Sequence, residues 1–231
     1  MSFKNIILSF NILLLFSCSS NIITKYEAFP KMYDEQPNSI LVLPPLNSST
    51  ATESKEYYLT TILEPLSLTG FYVMPIEIIS QVMKDEGIND SSEFLNLDPS
   101  VFNEYFDSDA VLFTEIKKWD TSYAVVSGSV TVHIMFLLKS TYTGEVLWKY
   151  NESVTVDTSA DDNEIGGTAG ILLSLLTTAI KTAAQDYIPI AKDVNNIALS
   201  TIPLGKYHPR NNLDKEDSGV NKNKINNKIY L

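Results

Sequence analysis

The first half of the chain alternates short apolar runs with segments in which apolar residues recur at helical spacing. Ile40–Leu43 is apolar at every position and two prolines follow it, which is typical of a strand covered on both faces. Thr50 and Glu53 have the spacing of a capping box, and the apolar residues after them recur at helical spacing towards Gly70, which predicts a helix. Phe71–Met74 predicts the next strand. Strand, helix and strand in this order predict a parallel pair.

Two further helices are predicted before the pattern changes. Pro75 opens a helix that ends at Gly87, and Asp98–Pro99 supplies the N-cap and the first-turn proline of a short helix. Apolar and polar residues then alternate, which predicts an antiparallel meander. Its strands are Ala110–Ile116, Val125–Lys139 and Glu145–Asp157.

Helical patterns at Gly170–Ala184 and Asp193–Ser200 follow the meander. The whole pattern predicts an α/β fold of mixed α+β character. We expect a two-layer or three-layer sandwich with a mixed sheet, in which a parallel βαβ start precedes an antiparallel meander and a C-terminal helix.

Composition limits the partners of this fold. The chain has 231 residues, of which 44% are hydrophobic, so one globular domain is expected. The 28 acidic and 17 basic residues give a net charge of -11, and Arg210 is the single arginine. This balance argues against nucleic acid, which requires a cationic face. Anionic membrane surfaces are disfavoured for the same reason.

Residues 1–17 have the three parts of an export signal. Lys4 stands near the start, Ile6–Phe16 is apolar, and small residues lead into Cys18. As a helix, the apolar stretch spans roughly 16 Å, about half of a 30 Å hydrocarbon core. We therefore expect this segment to be cleaved and not to span the membrane.

Leu15–Cys18 resembles the lipobox of bacterial lipoproteins, whose cysteine is acylated and becomes the mature N-terminus. Cys18 is the only cysteine in the chain, so no intramolecular disulfide can form. Two or three acyl chains, of the palmitate type, anchor a protein stably. Ser19 follows instead of the aspartate that retains lipoproteins in the inner membrane, so the resemblance implies an outer-membrane location.

These features divide the chain into four parts. After the signal, residues 18–38 are predicted to be the lipidated N-terminus and a polar tether, and residues 39–205 a single α/β domain. Residues 206–231 are predicted to be a disordered tail, because they are rich in Asn, Lys, Asp and Glu and cannot offset the entropy of ordering.

The sequence offers no set of catalytic, cofactor or metal-binding residues. His133 lies in the middle of a predicted strand and His208 after Gly205, so neither is placed as the base of a nucleophile. The acidic residues around Asp161 do not have the spacing of a calcium loop. The glycines at 166–170 lack a following Walker lysine. We therefore expect no enzyme, no cofactor and no metal.

Several short blocks, in their order and spacing, resemble one family: the bacterial lipoproteins typified by a meningococcal genome-derived antigen. The blocks are Leu43-Pro44-Pro45 with Asn47-Ser48, Gly70-Phe71-Tyr72-Val73 with Pro75, Asp109-Ala110, Trp119 with Tyr123, Leu147-Trp148, and Leu204-Gly205-Lys206-Tyr207-His208. The resemblance implies a domain similar to the amino-terminal α/β domain of the periplasmic Tol-system propeller protein. It also implies a gene that is often located beside one for a relative of the curli-secretion pore lipoprotein.

These observations favour a lipid-anchored, non-catalytic structural or assembly component of the cell envelope that acts through protein contacts, as a homodimer or with other envelope proteins. Trp119 and Tyr123 flank a polar connection, and aromatic residues are enriched at interfaces, so we expect them to contact a partner. The alternative is a periplasmic module that binds a small ligand or glycan in a cleft near Pro44 and Ser48, beyond the ends of the first strands.

Overall fold

The computed structural model describes residues 22–88, 90–123, 128–157 and 187–222. Several predicted features lie outside these ranges: the export signal, the acylation site Cys18, the acidic loop around Asp161, the glycines at 166–170 and the helix at Gly170–Ala184.

Residues 22–35 are folded, although the sequence predicts a tether over residues 18–38. They form β1 (Ile22–Thr24), α1 (Lys25–Ala28) and α2 (Pro30–Glu35). Thr24 and Glu27 form a reciprocal capping box at the start of α1. Met32 and Tyr33 are buried. The difference has a physical reason: a few apolar side chains at helical spacing bury surface even in a mostly polar segment.

The next elements follow the predicted alternation of strands and helices. They are β2 (Ser39–Val42), β3 (Leu46–Asn47), α3 (Ser54–Thr61), α4 (Leu63–Leu68), β4 (Tyr72–Val73), α5 (Ile76–Asp85), a 3₁₀ helix (Glu93–Asn96) and α6 (Ser100–Phe106). The capping box predicted at Thr50 is not formed. Helix α3 begins four residues later, after Glu53, without a side-chain cap.

The meander and the C-terminal elements complete the fold. They are β5 (Ala110–Tyr123), β6 (Gly128–Ser140), β7 (Val146–Asp157), α7 (Ile188–Leu199) and β8 (Ser218–Asn221). Strand β5 runs seven residues beyond its predicted end at Ile116, past an irregularity in its register with β6 between Ile116 and Lys118. Such a bulge lets a strand continue with a changed direction.

The main sheet has the strand order β4-β2-β5-β6-β7, with β3 also paired to β5. Strand β2 is parallel to both β4 and β5, whereas β6 is antiparallel to β5 and β7. The predicted mixed sheet, with a parallel start and an antiparallel meander, is therefore confirmed. A second sheet pairs β1 with β8.

Alternate residues of the central strands feed two apolar layers. Ile40 and Val42 of β2 join the cluster that includes residues of α3, α4 and α7. Leu41 and Leu43 join a second cluster with residues of α5 and α6. The sheet is therefore the middle of three layers around β2 and β5, as expected for a strand that is apolar at every position.

Residues 206–222 are packed against the fold, although the sequence predicts a disordered tail from residue 206. Val220 of β8 and Asp214 are buried, and β8 pairs with β1. The amide side chain of Asn211 donates to the carbonyl of Leu204, and Arg210 pairs with Asp217. The backbone of the segment accepts hydrogen bonds from the amides of Lys25 and Tyr26, so its polarity did not prevent it from ordering.

Candidate functional site

A buried ion pair and several backbone hydrogen bonds lie where the two ends of the described chain meet. We call this region the terminal clasp and define it as residues 22–36 together with residues 202–221. Ile22 pairs with Asn221 across the small antiparallel sheet. The amide of Lys25 donates to the carbonyl of Asp217 at 3.0 Å. The clasp thus binds the segment that follows the predicted anchor to the last described strand.

A buried ion pair lies at the centre of the terminal clasp. The Nζ of Lys25 donates to the carbonyl of Ile202 at 2.7 Å and lies 3.6 Å from Oδ2 of Asp214. That same oxygen accepts a hydrogen bond from the amide of Leu204 at 2.8 Å. Removing one partner of such a pair leaves an uncompensated buried charge. The pair therefore joins the two ends of the described chain.

Burial shifts the pKa of two side chains in this cluster. Desolvation lowers the pKa of Lys25, against the attraction of Asp214. Burial, reinforced by the negative charge of Asp214, raises the pKa of Tyr33 above its ordinary value. The Tyr33 hydroxyl and Oδ1 of Asp214 are both buried, and neither makes a hydrogen bond of good geometry with a described residue. The Asp214 carboxylate is nevertheless close enough to Tyr33 to contribute to its raised pKa.

Two glycines allow the clasp to sit directly on the main fold. Gly70 has a φ of +92°, and a Cβ atom there would lie 2.4 Å from the backbone nitrogen of His208. A Cβ atom on Gly205 would lie 2.4 Å from the carbonyl oxygen of Gly70. The amide of Tyr207 donates to that same carbonyl at 3.0 Å. Two of the family-like blocks, the one that begins at Gly70 and the one at 204–208, are therefore in direct backbone contact. We call this contact the glycine joint.

A cavity of about 440 Å³ opens beside this joint. Its lining combines amide side chains and one cation with apolar surface; it includes Gln36, Asn38, Phe71, Leu204, Lys206 and Asn211. Tyr33 of the ion-pair cluster also lines it. The volume lies in the range of small-molecule sites. Its polar groups suit a neutral, hydroxyl-rich ligand better than a strongly charged one.

At the cleft predicted near Pro44 and Ser48, the polar groups of the loop are hydrogen-bonded to neighbouring protein groups. Asn47 donates to the carbonyl of Ala51 at 2.8 Å and accepts from the amide of Ser49 at 2.9 Å. Ser48 donates to Glu115 at 2.7 Å. Because these groups are already satisfied by neighbours, the motif here builds the turn into α3.

Trp119 lies in the core and not on a partner-facing surface. Its side chain is 6% exposed and packs against Tyr57 and Tyr187, with ring centroids 5.5 and 6.1 Å apart. This burial differs from the exposure that a partner contact requires. The backbone of Tyr123 ends β5, but its side chain lies outside the described residues, so its predicted contact stays a prediction.

The other motif residues also have structural positions. Trp148 is fully buried, stacks on Phe136 at 5.8 Å and donates from its indole nitrogen to Thr201 at 3.1 Å. Pro75 precedes α5 as its N-cap residue. Tyr72 is exposed on the short strand β4. Pro44 and Pro45 stand between β2 and β3.

Asp109 fastens the start of β5 to the start of β2. One carboxylate oxygen accepts hydrogen bonds from the amides of Asn38 and Ser39 at 2.7 and 3.1 Å, and the other accepts from the Tyr142 hydroxyl at 2.8 Å. Burial opposes the charged form, but these hydrogen bonds outweigh it and hold the pKa of Asp109 below its ordinary value. This carboxylate therefore has a structural role, since it joins the start of β5 to the start of β2 and to Tyr142.

The two histidines have local partners. His133 Nε2 lies 2.8 Å from Oδ1 of Asn151 on the neighbouring strand. His208 Nδ1 accepts from the backbone amide of Arg210 at 3.0 Å and so closes a turn of the clasp. Neither contact brings a histidine to a nucleophile.

Within the described ranges, acidic, histidine and cysteine side chains form no group of three that could hold a metal ion. Over the same residues, no helix has both the length and the apolar character needed to cross a bilayer.

The polar contacts of the terminal clasp are not indicated by any local pattern of the sequence. Lys25, Tyr33 and Asp214 lie in segments that were predicted to be a tether and a tail. The available signal was the block at 204–208, which matches the family yet lies across the predicted boundary of the domain.

Comparisons with known proteins agree with the resemblance. A relative named "Putative lipoprotein NMB1124/NMB1162", from Neisseria meningitidis serogroup B, is 28% identical over 153 residues, which cover 66% of this chain and 70% of the relative. The crystal structure of lipoprotein GNA1162 from Neisseria meningitidis is 29% identical, with a TM-score of 0.51, and the match covers 63% of this chain and 99% of that chain.

A PelC dodecamer from Paraburkholderia phytofirmans is a more distant neighbour. It is 12% identical at a TM-score of 0.42 and matches 72% of this chain and 89% of that chain, which supports no inference about function.

Residues 25–207 match the sequence profile of a family described as "Putative lipoprotein GNA1162-like". The match covers more than half of the chain and includes both the main sheet and the glycine joint. This protein therefore belongs to the GNA1162-like lipoprotein family.

Proposed function

We propose that the protein is a non-catalytic component of the cell envelope, anchored by acyl chains on Cys18. Membership of a lipoprotein family and the lipobox-like Leu15–Cys18 are the observations that carry this proposal. The lone cysteine stands four residues before the first described strand, so acylation there leaves the folded domain unaltered.

Metabolic labelling tests the anchor directly. Cells expressing the protein are grown with labelled palmitate, and the wild type is compared with Cys18→Ala. We expect label and membrane association in the wild type and loss of both in the variant. A wild-type protein that stays unlabelled and washes free of membranes contradicts the proposal.

The outer membrane is the proposed location, because Ser19 follows the cysteine. Separation of the two membranes on a density gradient tests this step by itself. We expect the wild type in the outer-membrane fraction and Ser19→Asp in the inner-membrane fraction. Equal distributions of the two proteins contradict this location while leaving the lipid anchor intact.

The proposed role is structural or assembly work with other envelope proteins. The polar clusters of the described residues favour a structural role over a catalytic one, because they join segments of this chain to one another: Lys25 with Asp214, Asp109 with the start of β2, and Asn47 with its own loop. The resemblance adds a pore-like lipoprotein of the curli-secretion type as a partner. Crosslinking in cells followed by mass spectrometry is expected to recover envelope proteins; recovery of none contradicts the assembly role.

A second candidate function is the binding of a small ligand or glycan. The cavity of about 440 Å³ beside the glycine joint favours it, at a different place from the cleft that the sequence predicts. A panel of cell-wall oligosaccharides is expected to raise the melting temperature of the wild type. Lys206→Glu should reduce that shift and Lys84→Glu, far from the cavity lining, should not. No shift with any sugar rejects this function.

A further inference from the structure

The cavity beside the glycine joint has walls from both ends of the described chain. Tyr33 and Gln36 line it from the N-terminal half of the terminal clasp. Leu204, Lys206 and Asn211 line it from the C-terminal half. The cavity therefore has this shape only while the two halves of the clasp are in contact.

The main fold supplies the rest of the lining. Asn38 precedes β2 and the buried Phe71 precedes β4, and both line the cavity. The amide of Tyr72 donates to the carbonyl of Asn38 at 2.9 Å, so the starts of these two parallel strands are joined. A molecule in the cavity therefore contacts the main fold and both halves of the clasp together.

The buried ion pair of the clasp lies directly behind this lining. Lys25 donates to the carbonyl of Ile202, two residues before the lining residue Leu204. Asp214 accepts from the amide of Leu204, and its negative charge contributes to the raised pKa of Tyr33. Neither Lys25 nor Asp214 is a lining residue, so the pair holds the walls in place without forming part of them.

Two lining residues, one in each half of the clasp, have a backbone conformation that is uncommon for residues other than glycine. The φ angle is +47° at Gln36 and +61° at Asn212. Within the described ranges only one other non-glycine residue, Asp107, has a positive φ. Such conformations persist where the surrounding structure holds them, and they are concentrated at ligand sites. They favour a cavity that is built to hold a ligand.

The lining suits a neutral sugar. Gln36, Asn38, Asn211 and Asn212 carry amide groups, which both donate and accept hydrogen bonds. Among the described residues that line the cavity, Lys206 is the single cation and none is acidic, although the whole chain carries a net charge of -11. Amides bond to the hydroxyl and acetamido groups of an N-acetylated sugar without requiring a charge, and the apolar part of the lining accepts the acetyl methyl group.

We propose that a neutral N-acetylated sugar in this cavity holds the terminal clasp closed, so that its binding is coupled to the pairing of β1 with β8. This inference rests on the second candidate function, the binding of a glycan. A ligand that binds only the closed clasp stabilises the closed form by mass action, and the closed clasp in turn binds the ligand more tightly. The contacts that join the two chain ends therefore regulate the site.

Hydrogen exchange of the full-length protein in detergent, with and without the disaccharide N,N′-diacetylchitobiose, measures this coupling. At a sugar concentration about 100-fold above its Kd, the amides of β1 and β8 should exchange roughly 100-fold more slowly, because the sugar must leave before the clasp opens. A sugar held by the main fold alone leaves the local opening of these strands unchanged. A rise in melting temperature without slower exchange in β1 and β8 therefore overturns the coupling and leaves sugar binding intact. No rise in melting temperature rejects both.

The variant Asp214→Ala separates the coupling from direct contact, because Asp214 does not line the cavity. We expect roughly 10-fold weaker binding of the disaccharide, since an open clasp lacks part of the site. The double change Lys25→Met with Asp214→Leu, which removes both charges, should restore most of the affinity. Asp193→Asn removes one negative charge outside the clasp and should leave binding unchanged. Unchanged affinity in Asp214→Ala with β6 still protected from exchange, or an equal loss in Asp193→Asn, overturns the proposal.

Discussion

The central sheet and the terminal clasp are held together by different kinds of contact. Strands β2 and β5 bury apolar side chains on both faces, in two clusters that also contain most of the helices. The clasp depends on directed polar contacts, such as that between Lys25 and Ile202, which lie 177 positions apart in sequence. Apolar contacts tolerate small shifts, whereas a buried charge requires its partner in place.

Because of this difference, we expect the central sheet to determine the stability of the domain and the terminal clasp to determine the position of the two chain ends. Loss of a central side chain is expected to destabilise the whole domain. Loss of a clasp contact is expected to release the two ends first, because they are joined to the main sheet by few elements. The clasp therefore holds the first described residues, which follow the predicted acylation site, against the rest of the domain.

The largest effect is expected from Trp119→Ala in the central core. The buried indole packs against Tyr57 and Tyr187, and large-to-small changes of this kind cost about 4 kcal/mol. Urea unfolding measures the loss, with the exposed Tyr105→Ala as control. An unchanged midpoint for Trp119→Ala revives the interpretation of this residue as a partner contact.

Asp214→Ala should cost slightly less, about 3 kcal/mol, because it leaves the buried charge of Lys25 without its partner. Hydrogen exchange should show faster exchange in β1 and β8 while β6 keeps its protection.

Its matched variant is the double change Lys25→Met with Asp214→Leu, which removes both charges and should recover most of the stability. Equal loss of protection in β6 and β8 after Asp214→Ala contradicts the separation of the two regions.

Gly205→Ala tests the joint between the regions. The added methyl group would lie 2.4 Å from the carbonyl oxygen of Gly70, and overpacking of this kind costs about 2 kcal/mol. Gly144→Ala is the control, since it has a positive φ but no atom within 4 Å of a Cβ, and should cost only about 1 kcal/mol. Thermal unfolding compares the two, and a smaller loss for Gly205→Ala than for Gly144→Ala contradicts the close approach.

The smallest effect is expected from Asp193→Asn in α7. Burial raises the pKa of Asp193 to about 6, against the opposing attraction of Lys192. A carboxyl group with a raised pKa lowers stability as the pH rises from its ordinary value of 3.8 through 6. The asparagine variant should therefore be more stable at pH 7 by about 1 kcal/mol, a value reduced for solvent screening, and equally stable at pH 4. Melting temperatures at both pH values measure this, and a larger gain at pH 4 contradicts it.

The spacing of apolar residues correctly predicted the strands of the central sheet and the helices that cover it. Ile40–Leu43 predicts a strand covered on both faces, and the structure places helices on each side of it. The helix predicted from Pro75 is found as α5, with Ile76, Ile79 and Met83 buried. These signals are local, because the period of burial is set by the geometry of each element.

Composition was a poor guide to the two ends. Residues 22–38 and 206–222 are polar enough to resemble linkers, yet they order each other through the Lys25–Asp214 pair and the β1–β8 sheet. Likewise, Trp119 resembled a surface residue because its neighbours in sequence are polar. Its actual neighbours, Tyr57 and Tyr187, are distant in sequence.

The sequence by itself determined the order of the main elements from β2 to β7, apart from the short β3, as well as the family resemblance and the position of the lone cysteine. Each of these depends on residues close together in the chain or on short motifs. Only the tertiary structure decided that the two polar ends are paired and that Gly70 and Gly205 touch. Those contacts join residues more than a hundred positions apart, and their stability depends on desolvated partners that no local pattern specifies.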